Sequence, residues 1–292
     1  MSTFTVGQEN STPIELYYED LGSGSPVVLI AGYPFSGASW EKQIAALLAA
    51  GHRVITYDRR GFGRSSRPSV GYDFDTLAAD LNTLLTTLGL TDVSLVGFSM
   101  GTGEITRYIA KYGTGRLRRA VLIGTIGPFL LKTDDNPEGV DPSVFEGLKA
   151  AIRNDRPATL LSIIQNANNY DVLGGTLVSE RVIEDSWNIG VSASPIGAVK
   201  SIDAWIEDFR DDLPHNDVPT LILHAGEADR VLPPGATSRR QAKLLKNCKF
   251  VELEDAPHNI LWTHADRVNE ELVSFLRESI CGAARRAAPA IA

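Results

Sequence analysis

The stretch Val93-Ser94-Leu95-Val96-Gly97-Phe98-Ser99-Met100-Gly101 decides the architecture. Its opening is the short apolar, β-branched run of a buried strand, and Glu104 to Tyr112 continues with helical character. The strand must therefore turn into the helix within Gly97-Phe98-Ser99-Met100-Gly101, a G-x-S-x-G pattern. A serine on so tight a turn takes a strained backbone, and its small neighbours let adjacent chain come close. Such a turn places one hydroxyl at the carboxyl end of a strand, where open sheets with helices on both faces build their sites.

Working outward, strand-sized runs recur at Thr3 to Val6, Ile14 to Glu19, Val27 to Ala31, Arg53 to Tyr57, Ala120 to Ile123, Thr220 to His224 and Lys249 to Leu253. Through residue 127 they alternate with segments of helical period, which predicts a mostly parallel sheet covered on both sides. The clearest helix carries Phe74, Leu77, Ala78, Leu81, Leu84, Leu85 and Leu88 on one face. From Pro128 to Leu213 strands are absent and the chain reads as helices broken by Pro137, Pro142, Pro157 and Pro195. Val144, Leu148, Ala151 and Ile152 form one predicted stripe there, and Val182, Ile183, Ser186 and Trp187 another. A last helix presents Val268, Leu272, Phe275 and Leu276 and ends near Ser279. The division expected is one discontinuous sheet domain, 1–127 and 214–279, a helical cap over 128–213, and a frayed Ala/Arg/Pro-rich tail, 280–292.

Composition narrows the function classes. With 292 residues, 43% hydrophobic and 22% charged, the chain can bury roughly three quarters of its unfolded surface without a metal or disulfide. Cys248 and Cys281 form no CxxC pair and read as free thiols. The net charge of −8 disfavours nucleic acid or anionic membrane as partner. No apolar run reaches the roughly 20 residues of a membrane span, and Met1 to Asn10 lacks the pattern of a signal segment, so a cytoplasmic location is expected. Gly61-Phe62-Gly63-Arg64-Ser65-Ser66 is an incomplete dinucleotide fingerprint and reads as a turn. No Walker loop, HExxH or metal-spaced His/carboxylate set is present, so neither metal nor organic cofactor is implied.

A serine hydroxyl needs a base within hydrogen-bonding reach and an acid that orients the base. Of five histidines, His52, His215, His224 and His264 read as structural. His258, in Ala256-Pro257-His258-Asn259, lies in the loop after a strand and is the candidate base. The acid should follow the strand ending at His224, where Glu227 and Asp229 both qualify by type. Asp229 completes an ordered set Ser99, Asp229, His258. Two backbone N–H groups must receive the oxyanion; Met100 supplies one, and Tyr33 in Ala31-Gly32-Tyr33-Pro34-Phe35 the other. Phe35, Phe129, Trp187 and Trp205 either line an apolar acyl pocket or pack in the core.

With these residues assembled, the chain from Phe4 to Leu276 resembles the α/β-hydrolase fold, and within it the cofactor-free haloperoxidase, perhydrolase and arylesterase group that includes γ-lactamases. The resemblance rests on Val54-Ile55-Thr56-Tyr57-Asp58-Arg59-Arg60-Gly61-Phe62-Gly63, on Val96 to Glu104, on Phe129 to Val140, and on Ala256 to His264. It implies an eight-stranded, mostly parallel sheet with a helical cap. It also implies triad roles for Ser99, Asp229 and His258, an oxyanion hole at Tyr33 and Met100, and no cofactor. The implied activity is acyl transfer from ester, lactone or lactam carbonyls to water, or to hydrogen peroxide to give a peracid. A small acyl substrate is the partner expected, and the long insertion would offer an interface to a homo-oligomer. The chain departs from the family pattern at Ala31, where a histidine is usual, and in one extra position between His224 and Asp229, which leaves Glu227 open as the acid. A cofactor-free oxygenase using the His–Asp pair, or a non-catalytic receptor-like member, are the other readings.

Overall fold

The computed structural model describes residues 2–278; Cys281 and the predicted tail lie outside them. Among the described residues, eight strands form one sheet: β1 (Thr3–Glu9), β2 (Thr12–Leu21), β3 (Ser25–Ile30), β4 (His52–Tyr57), β5 (Val93–Phe98), β6 (Leu117–Ile123), β7 (Thr220–Ala225) and β8 (Cys248–Leu253). Their spatial order is β1-β2-β4-β3-β5-β6-β7-β8, with β1 and β2 antiparallel at one edge and the rest parallel. The edge hairpin turns through Asn10 and Ser11, both at positive φ, which matches the twist of the paired strands.

Strands β5 and β7 are buried along their whole length, as parallel strands covered on both faces must be. Alternate side chains feed two apolar layers. Val27, Leu29, Val96 and Leu221 face α1 (Glu41–Ala49) and α11 (Ala265–Arg277), whereas Val28, Ile30, Leu95 and Ile222 face α2 (Phe74–Thr87) and α3 (Met100–Tyr112). Asp73 caps α2 by accepting the Thr76 N–H, and the predicted stripe of α2 is buried through Leu85. All four residues predicted for the last helix are buried in α11.

Between β6 and β7 lie α4 (Pro142–Asn154), α5 (Arg156–Ala167), α6 (Tyr170–Leu173), α7 (Glu180–Val191) and α8 (Pro195–Trp205). They close over the carboxyl ends of the strands through a third apolar cluster, in which Phe145, Ile152, Leu160, Ala198 and Ile202 meet Tyr33, Phe74, Met100 and Leu232. The stripe of α4 differs from expectation. Val144 is 55% exposed and Ala151 is exposed, while Phe145, Lys149 and Ile152 turn inward. Phe145, one residue or 100° around from Val144, carries the larger apolar side chain and orients the helix. Short helices α9 (Ser238–Leu244) and α10 (Ile260–Thr263) complete the fold. Among the described residues no helix is long and apolar enough to cross a membrane.

Candidate active site

Ser99 sits between β5 and α3 at φ +51°, ψ −118°, a conformation costly for a residue with a β-carbon. The surrounding contacts leave it no alternative. A β-carbon on Gly97 would lie 2.6 Å from the Gly101 carbonyl oxygen, and one on Gly101 would lie 2.4 Å from that of Ile30. The Ser99 N–H donates to the Ile123 carbonyl at 2.8 Å, and the Thr102 hydroxyl donates to the Ser99 carbonyl at 2.6 Å. The turn is thus fixed at both of its peptide groups.

The structure brings the three sequence-predicted side chains together. His258 Nε2 lies 3.0 Å from Ser99 Oγ, and His258 Nδ1 lies 2.8 Å from Asp229 Oδ2. The other carboxylate oxygen, Oδ1, accepts the N–H groups of Val231 and Leu232 at 2.8 and 2.9 Å. Burial raises the Asp229 pKa, but the attraction and hydrogen bond of His258 outweigh it and hold the carboxyl below its ordinary value. An ionised carboxylate only accepts, so Nδ1 donates to it and Nε2 of a neutral ring is left to accept the Ser99 proton. The His258 ring also packs on Phe98, with centroids 5.1 Å apart. Glu227 stands outside this array: its side chain is 77% exposed and pairs with Arg239 at 2.5 Å.

Tyr33 and Met100 both line the space in front of Ser99. Neither backbone N–H is taken by a hydrogen-bond acceptor among the described residues. The Gly32 carbonyl accepts the Phe35 N–H at 2.9 Å, which closes the turn carrying Tyr33. The Tyr33 hydroxyl donates to the Ala198 carbonyl in α8 at 3.0 Å, and burial pushes its pKa up. Here strand loop and cap meet.

The cavity has a volume of about 50 Å³. Apart from Ser99 and His258 its walls are apolar, chiefly Ile126, Leu130, Ile163, Trp205, Val231 and Leu232. Trp205, from the predicted aromatic set, is part of this wall and meets Tyr33 edge to face at 4.8 Å. Phe35, Phe129 and Trp187 are not. Phe35 borders a separate cavity behind Phe98, Phe129 is buried under the Arg210 guanidinium, and Trp187 lies on the outer groove between α5 and α7. Among the described residues no cluster of His, Cys, Asp and Glu has the arrangement of a metal site.

Three features of the site were not read from the sequence. Arg59 donates to the Ala31 carbonyl at 2.9 Å and to Glu104 at 3.1 Å, joining the Tyr33 loop to α3. Both side chains are fully enclosed; burial lowers the Arg59 pKa to about 10 and raises that of Glu104. The available signal was a charged residue in the otherwise small and apolar run Gly101-Thr102-Gly103-Glu104-Ile105. Thr102 is the second feature, visible beforehand only as a hydroxyl beside the turn. The third is His224, whose Nε2 lies 3.5 Å from Asp229 Oδ2; burial lowers its pKa, so it stands there as a neutral ring.

With this geometry in hand, the chain can be placed among known proteins. Residues 25–265 match the family model described as the alpha/beta hydrolase fold. The chain is 56% identical over 277 residues to a putative non-heme chloroperoxidase of Synechocystis sp., covering 95% of this chain and all of that protein. It is 33% identical to a bifunctional esterase/perhydrolase of Acinetobacter calcoaceticus, covering 90% and 96% of the two chains. The crystal structure of a bromoperoxidase from Bacillus anthracis superposes with a TM-score of 0.91 at 43% identity, covering 95% and 99%. The chain belongs to the α/β-hydrolase fold family, in its non-heme haloperoxidase group.

Proposed function

We propose that this chain is a serine hydrolase that transfers an acyl group through Ser99 to water, and to hydrogen peroxide when peroxide is present. The observation that carries the reading is the hydrogen-bonded series Ser99, His258, Asp229 opening onto an apolar cavity. His258 Nε2 takes the Ser99 proton as Oγ bonds to the carbonyl carbon of an ester, lactone or lactam. The tetrahedral oxygen receives the N–H groups of Tyr33 and Met100. Collapse breaks the bond to the leaving alcohol or amine, which takes the proton from His258. Water then repeats the cycle in reverse and leaves as the carboxylic acid. Hydrogen peroxide in its place leaves as the peracid, which passes one oxygen to halide in solution to give hypohalous acid and the carboxylate. The names of the esterase/perhydrolase and chloroperoxidase relatives support both outcomes.

The test is turnover of an aryl acetate, with and without peroxide and bromide, by the full chain and by Ser99→Ala. Loss of both ester hydrolysis and peroxide-dependent bromination in the variant is the result expected. Activity retained by Ser99→Ala but lost by His258→Ala would replace the proposal with a cofactor-free oxygenase.

A further inference from the structure

The loops that carry Asp229 and His258 come from different strands, yet both are tied to the same few residues of the cap. Helix α5 ends at Ala167 and is followed directly by Asn168, its C-terminal cap residue, and Asn169. Asn169 Nδ2 donates to the Ala228 carbonyl at 2.9 Å, the peptide oxygen just before Asp229. The Ala167 carbonyl accepts the Asn259 N–H at 2.8 Å, and Asn168 Oδ1 accepts Asn259 Nδ2 at 3.1 Å, the residue just after His258. Asn168 is itself anchored, its Nδ2 donating to the Ile164 carbonyl one helical turn back at 2.8 Å. Asn168 and Asn169 are 1% and 6% exposed and their partners Ala228 and Asn259 are half-buried, so water competes for these bonds from one side only. Asn169 also stands at φ +46°, ψ 44°, a left-handed conformation that asparagine tolerates and that lets its side chain leave the helix toward the acid loop.

From this we infer that the end of α5 is a positioning element for catalysis, with Asn168 and Asn169 setting the distance between acid and base. The inference rests on the hydrolase reading above. A buried seam between cap and core would need its polar groups satisfied anywhere along its length. Here they attach to the residues flanking Asp229 and His258, and Ala167 and Ile163 of the same helix form part of the cavity wall. The loop after β7 has its Ala228 peptide held from the cap, immediately before the Asp229 carboxylate that meets the ring. Loosening the clamp lets the carboxylate drift from Nδ1. The imidazolium formed when Ser99 gives up its proton then loses its counter-charge, and the acyl-transfer step slows without a matching loss of substrate binding.

The experiment compares Asn169→Gly with the full-length parent on an aryl acetate. Glycine keeps the left-handed backbone and removes only the amide. The expected result is a fall in kcat of about tenfold, the scale of one buried hydrogen bond, with KM within about twofold. Asn259→Ala, which opens the clamp from the base loop, carries the same signature and decides the matter if Asn169→Gly does not fold. Parental kcat, or a loss that lies in KM alone, with or without a lower Tm, overturns the inference. Ser99→Ala in the same series separates the two failures: if it retains full ester turnover, the hydrolase reading falls, whatever the clamp variants do.

Discussion

Asp229→Asn should be close to inactive while Glu227→Gln is nearly silent, and the size of the difference follows from hydrogen-bond direction. Asp229 Oδ1 accepts two backbone N–H groups, from Val231 and Leu232. An asparagine at this place must put its carbonyl oxygen there, because an amide nitrogen would face both donors. Its Nδ2 then occupies the site of Oδ2, 2.8 Å from His258 Nδ1, and donates to it. The ring answers with the other tautomer, its proton on Nε2, which can no longer accept from Ser99 Oγ at 3.0 Å. A wrong tautomer in a serine, histidine and acid site costs about 10,000-fold in kcat, or about 5.5 kcal/mol in the barrier, with little change in KM. Glu227 reaches no atom of Ser99, His258 or Asp229, and its partner among the described residues, Arg239, keeps Glu252. Glu227→Gln should therefore hold kcat within about twofold. Stopped aryl acetate assays over a range of substrate concentrations give both parameters. A kcat above about a tenth of parental in Asp229→Asn, or a large loss in Glu227→Gln, would refute the assignment of the acid.

Two further outcomes are expected. Trp205→Ala enlarges the apolar cavity in front of Ser99, so the ratio of kcat/KM for a hexanoate ester over an acetate ester should rise by about tenfold or more; an unchanged ratio in a chain-length series would place the acyl group elsewhere. His224 is buried with its pKa lowered below the ordinary 6.5, so the unfolded chain takes up its proton first as pH falls. Its contribution is whole above pH 6.5 and is lost as pH drops from there toward the folded pKa, at no more than about 1.4 kcal/mol per pH unit. Denaturant unfolding between pH 8 and pH 5 should show a shallower acid decline in His224→Gln than in the parent, and parallel declines would count against the neutral ring.

The sheet was legible because its determinants are local. Burial on both faces forces continuous apolar runs, and each predicted strand from Val27 onward lies within one residue of the strand it foretold or inside it. The turn at Ser99 was legible for the same reason: two glycines and a serine at fixed spacing admit few backbones, and the observed φ of +51° is one of them. Which of Glu227 and Asp229 meets His258 was harder to read, since the two are alike in type and differ only in which one the chain turns inward. That choice is made by the N–H groups of Val231 and Leu232, which no side-chain pattern announces.

The cap was read least well, and its physics explains why. A helix lying on a sheet needs one apolar face, and periodicity finds that face, as in α2 and α11. The cap helices pack on one another, on the sheet's loops and on the apolar cavity before Ser99 at once, so apolar residues point in several directions. Val144 ends exposed, Phe129 lies beneath a guanidinium, and Trp187 hydrogen-bonds through its indole to the Pro157 carbonyl instead of facing Ser99. Beside that apolar packing, cap and site are joined by polar ties: the Tyr33 hydroxyl to Ala198, Asn169 to Ala228, and Asn168 to Asn259. Each joins residues at least 59 positions apart and satisfies backbone or amide groups that any sequence possesses. Asparagines near a helix end have an ordinary local explanation, because they favour turns. Only the meeting of two strand-end loops at that helix end gives them a second role.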